Sequence, residues 1–186
     1  MNNKYSTELI QMEINDLFVR EKLLKENKLV SGYHAEMEHV HRLNAKRLRE
    51  IIDEIGFPTI SKVGKKASNS AWLIIQHAIS EPSFMKNAYQ LMLENQTDIN
   101  LKNIAFLHDR IQFFQGKPQK FGTQLNADGT IYPVESKENL NNEREKYNLP
   151  KLFDLEIDKI PHIDKIEQLE NENFEYVLWR KKVGWN

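Results

Sequence analysis

The sequence predicts a mainly α-helical, compact multi-helix domain with one small β-hairpin and a C-terminal appendage. Three observations predict it. Apolar residues recur at spacings of three and four from residue 6 to residue 114. The period then changes around Ala127-Asp128-Gly129, a short glycine-containing turn of the hairpin kind. Beyond Pro150 the pattern weakens. The expected organisation is a helical domain over residues 1–150, with the hairpin at about 119–135, and an appendage over 151–186 packed on it.

The first predicted helix covers about residues 6–28, where Leu9, Ile10, Met12, Ile14, Leu17, Phe18 and Val19 recur at helical spacing. Ser31-Gly32 interrupts it. A second runs from about His34 to Ile55 on Met37, Val40, Leu48, Ile51 and Ile52, and Gly56 supplies its stop. Residues 59–66 read as a loop. The third, about residues 67–80, is apolar nearly all round through Ala71, Trp72, Leu73, Ile74 and Ile75, as expected of a central helix. Pro82 suits a first helical position and starts a fourth. Asn100 caps a fifth, which Gly116 and Pro118 end, and Ser136 caps a short helix reaching about Tyr147. A further helix is expected near residues 164–170.

Composition narrows the function classes. With 26 basic against 27 acidic side chains the formal net charge is -1, so neither a nucleic-acid nor a membrane partner is expected. Cysteine is absent, which removes disulfides, thiolate metal sites and cysteine nucleophiles together. The polar start lacks a signal-peptide core and no apolar run reaches the length of a membrane span, so a cytoplasmic protein is expected.

The informative residues are polar ones on faces that should be buried. His41 and Asn44 continue the apolar stripe of the second helix, and Gln76-His77 lies inside the greasy third. His108-Asp109-Arg110 sits between Phe106-Leu107 and Ile111, and arginine's planar fork suits an anion. Such groups are costly to bury unless hydrogen-bonded, so each is either a structural tether or a functional group. The hairpin adds Gln119, Gly122, Thr123 and Gln124. His34, Glu38 and His41 share a helix face, but no matching set lies elsewhere, and a solvated stripe is expected there, not a metal site.

Several phrases in series resemble a family of bacterial proteins classed as a domain of unknown function. They are Gly56-Phe57-Pro58-Thr59-Ile60-Ser61-Lys62-Val63-Gly64, Ala71-Trp72-Leu73-Ile74-Ile75-Gln76-His77-Ala78, Asp109-Arg110, and Gly116-Lys117-Pro118-Gln119-Lys120-Phe121-Gly122-Thr123-Gln124. The match runs over about residues 34–149. The resemblance implies a shared domain and supplies no reaction. It also implies that Asn44, Gln76, His77, Asp109, Arg110, Gln119 and Gln124 recur as a set, whereas members tend to have Asp where this chain has His41.

The expected function is a small metal-independent hydrolase or group-transfer enzyme acting on a small polar or anionic ligand, with no cofactor. His77 would be general acid or base, with Asp109 orienting it. Arg110 would hold an anionic group, Asn44, Gln76, Gln119 and Gln124 would donate or accept hydrogen bonds, and Thr123 or a water would attack. The alternatives are a non-catalytic binding module for a peptide or small polar ligand, or an immunity-type interaction protein using Trp179 and Trp185. A metal enzyme would instead bring His77, Asp109 and His41 around one ion.

Overall fold

The computed structural model describes residues 3–29, 33–172 and 174–186. The expected break at Ser31-Gly32 lies outside the described residues. Among the described residues ten α-helices are present, and the chain divides into two compact units, residues 1–99 and 100–186.

In the first unit, α1 (Asn3–Lys25), α2 (Ala35–Ile55), α3 (Ile60–Val63), α4 (Lys65–His77) and α5 (Pro82–Glu94) surround one core. Helix α4 packs against all four others, because Ala67, Ala71, Ile74 and Ile75 leave its surface apolar on several sides. Helix α2 starts at His34, whose ring accepts from the Glu36 N–H, and stops at Gly56. The loop expected over 59–66 instead contains α3, clamped by Asp98, which accepts from the Ser61 N–H at 3.1 Å.

Helix α1 buries only part of the apolar set read from its sequence. Leu9 and Val19 are buried, yet Ile14, Leu17 and Phe18 are 50, 43 and 64% exposed. The buried stripe is Tyr5, Leu9, Asp16, Val19 and Leu23, spaced four, seven, three and four residues apart. One carboxylate lies on it.

The second unit begins with α6 (Leu101–Phe114), followed by α7 (Leu140–Lys146), α8 (Asp154–Asp158), α9 (Ile166–Asn171) and α10 (Phe174–Val183). Asn100 caps α6 as expected, its side chain accepting from the Lys102 N–H. Two small cores form here, Ala105 with Phe121 and Leu149, and Val134 with Leu140 and Ile160. Trp185 is buried and stacks on Phe114 at 4.9 Å between ring centres. The buried Arg180 donates to the Phe113 carbonyl and pairs with Glu170, tying α10 to α6 and α9.

The expected hairpin is corrected. No β-strand occurs among the described residues; residues 119–134 carry two isolated bridges, Gln119 to Val134 and Leu125 to Ile131. The reason is competition for backbone groups. A ladder needs the N–H and C=O groups of residues 119–124, and here side chains take them. Asp109 accepts the N–H groups of Lys120, Phe121 and Thr123 at 2.8–3.1 Å. Gln119 is wholly buried and uses both ends of its amide, accepting from Thr123 and Gln124 N–H and donating to the Gln124 and Tyr132 carbonyls. Arg144 donates to the Phe121 carbonyl from the other side.

Gly122 completes this loop. Its φ is +64°, and an added Cβ would lie 3.3 Å from the Ile131 side chain and 3.5 Å from Leu140. The Gly122→Ala variant is expected to lose about 1–2 kcal/mol of stability from backbone strain alone. A urea midpoint equal to that of the parent chain would show that the loop adjusts freely.

Candidate functional site

The polar residues singled out in the sequence fall into two groups, one in each unit. In the second unit Asp109 is fully buried, and both its oxygens are engaged by the loop, by the Thr123 hydroxyl at 3.0 Å and by His108 Nδ1 at 3.2 Å. Arg110 donates to Gln124 Oε1 at 3.3 Å and lies over the Phe114 ring. Gln124 in turn donates to the Thr123 hydroxyl. Asp109, Arg110, Gln119, Thr123 and Gln124 are therefore brought together, and their hydrogen bonds build the loop that contains them.

In the first unit His77 meets a carboxylate that sequence reasoning passed over. His77 closes α4, and its Nδ1 lies 3.0 Å from Oδ1 of Asp16 on α1. The other oxygen of Asp16 faces His41 on α2, 3.3 Å from Nε2 but without hydrogen-bond geometry. The two imidazole rings are 5.0 Å apart. Asp16 is completely buried and His41 nearly so, while the His77 side chain is 24% exposed. Three helices thus deliver one carboxylate and two imidazoles to one spot. The carboxylate partner of His77 is Asp16, not the expected Asp109, whose acceptors are held by its own loop.

The electrostatics follow from this geometry. Burial pushes the Asp16 carboxyl up, but the His77 and His41 imidazoles beside it, the first hydrogen-bonded to it, outweigh that and hold it well below the usual carboxylate range. Asp16 is therefore an acceptor. It fixes the proton of His77 on Nδ1, which leaves Nε2 as the basic nitrogen. Tyr33 bonds to Nδ1 of His41. Burial, reinforced by the charge of Glu38, pushes the Tyr33 phenol far above its ordinary value, so the hydroxyl keeps its proton.

Asn44 lies one turn beyond His41 on the same buried face, and its amide nitrogen has no hydrogen-bond partner. Gln76 is buried beside His77 on α4. The missed residue, Asp16, carried a legible signal: it is the one acidic residue on the Leu9–Val19–Leu23 stripe of α1.

A helical protein with a buried carboxylate shared by two imidazoles is the class that this fold and site define. The chain belongs to a family of unknown function (DUF6624), whose model matches residues 4–157. No curated protein and no solved structure gives a significant match. Among the described residues, no helix is long and apolar enough to cross a membrane.

Proposed function

We propose that the chain is a small hydrolytic or group-transfer enzyme whose reactive centre is the Asp16–His77–His41 cluster of the first unit. One observation carries the proposal: the His77 side chain is 24% exposed while the carboxylate that orients it is wholly buried and ionised. A purely structural histidine tether has no need of a ring that reaches solvent. In hydrolysis, Nε2 of His77 takes a proton from water as the oxygen adds to an acyl or phosphoryl centre, then returns it to the leaving group. Asp16 stabilises the imidazolium formed between the two steps. Asn44 supplies a donor from the neighbouring helix to a polar substrate group. The Asp109 loop contributes stability and is not assigned a step.

The test is turnover of chromogenic ester, phosphoester and amide substrates by the full chain and by His77→Gln. The variant is expected to lose about 10²–10⁴-fold in kcat/KM, with its circular dichroism unchanged. Equal rates in both proteins over the whole panel would refute the assignment.

A further inference from the structure

Resting on the assignment of this cluster as the reactive centre, we infer that Asp16, His41 and His77 are three ligands of one divalent first-row transition-metal ion, with zinc the best chemical fit. The donor atoms of the three residues all lie within 4.8 Å of one another. The two nitrogen–oxygen separations are 3.0 and 3.3 Å. Donors around a tetrahedral zinc ion, at about 2.0–2.1 Å each, stand about 3.4 Å apart, so small ring rotations bring all three to a common centre.

The unsatisfied atoms point the same way. Asp16 Oδ2 and His41 Nε2 are buried, face each other, and neither has a hydrogen-bond partner. A buried carboxylate oxygen left without a partner is costly; a cation between the two satisfies both. The remaining nitrogen of His41 is held by the Tyr33 hydroxyl, the outer contact that orients a ligating imidazole. Two nitrogens and one oxygen, with no thiolate in the chain, suit zinc or a neighbouring ion and not a calcium-like one. Three protein ligands, one of them on a side chain that is 24% exposed, leave a fourth position for water or substrate, as in catalytic and not structural zinc sites.

Occupation has a consequence that hydrogen bonding alone does not. Without an ion, Asp16 draws the His77 proton to Nδ1. With an ion on Nδ1, that proton would sit on Nε2, and His77 would hold the ion instead of deprotonating the attacking water, an activation the ion's Lewis acidity would then supply.

The experiment uses the full chain, stripped with EDTA, dialysed, and titrated with Zn(II) by calorimetry and Co(II) by visible absorption. One ion per chain is expected, and Asp16→Asn and His77→Gln are each expected to weaken binding at least about ten-fold. In parallel, ring ¹⁵N shifts of the unsubstituted protein are expected to move His77 from the Nδ1–H to the Nε2–H tautomer on adding zinc, a readout that requires no variant to fold. Absence of binding, or binding that survives the double variant Asp16→Asn/His77→Gln, overturns the inference. Hydrolysis that persists in EDTA with no zinc bound removes the metal and leaves the reactive centre in place. Zinc binding with no turnover of any substrate keeps the site and removes the hydrolytic reading.

Discussion

Replacing Asp109 with alanine is expected to destabilise the second unit by about 3–5 kcal/mol, the range for removing one member of a buried, charge-assisted network. The carboxylate is fully buried and accepts three backbone N–H groups, a hydroxyl and an imidazole contact. Alanine leaves those buried donors without their acceptor. Asp109→Asn keeps one acceptor oxygen and is expected to cost less, because its amide group turns two donors toward the loop's own N–H groups on one side only. Tryptophan fluorescence during urea unfolding reads this directly in a Trp72→Phe background, where the remaining reporters, Trp179 and Trp185, both belong to the second unit. An unchanged midpoint, with unchanged amide exchange at Lys120, Phe121 and Thr123, would show that the loop holds without its anchor.

That result would also explain two of the recurring phrases as one device. Leu107-x-Asp109-Arg110 and Gly116-x-Pro118-Gln119-x-Phe121-Gly122-Thr123-Gln124 are separated in sequence but form a single hydrogen-bonded object. Periodicity marked Asp109 and Arg110 as misfits on an apolar face, and of the two Asp109 is fully buried. It could not tell whether their partners would be a ligand or a backbone, because a loop that satisfies itself through side chains has no periodic signature. The same blindness produced the hairpin. Alternating residues around Ala127-Asp128-Gly129 look like strands, but strand pairing requires backbone donors that Asp109 and Gln119 had already captured.

The helices were more legible than their faces. The boundaries of α2, α5 and α6 follow from Gly56, Pro82 and Asn100, each acting through local backbone geometry that neighbours in space do not alter. Helix α1 was harder: it has two apolar stripes, and only tertiary packing decides that Leu9, Val19 and Leu23 go inside while Ile14, Leu17 and Phe18 stay out. Reading both stripes as one apolar set hid Asp16, and with it the carboxylate partner of His77. His41 and Asn44 were found because they sit on the buried face of α2, and His77 because it closes the largely apolar α4.

Asp16 and His77 are expected to act as one unit, so that Asp16→Asn lowers kcat/KM by about 10²–10⁴-fold and the double variant with His77→Gln falls no further than the worse single one. The physical cause is the proton on His77. A carboxylate can only accept, so it keeps that proton on Nδ1; an amide in its place can donate, which favours the opposite tautomer and turns the basic nitrogen inward, away from substrate. Ring ¹⁵N shifts in Asp16→Asn should therefore show His77 with more of the Nε2–H form, a change that a merely structural partner would not produce. Losses that multiply in the double variant, or a His77 tautomer indifferent to the substitution, would mean that the two residues serve separate ends. The contrast with Asp109 is the point at which the two buried carboxylates part. Asp109 receives most of its hydrogen bonds from the backbone N–H groups of one loop, which those bonds hold in place, and its loss is read as stability. Asp16 receives its bond from a titratable ring that stands partly in solvent, and its loss is read as rate.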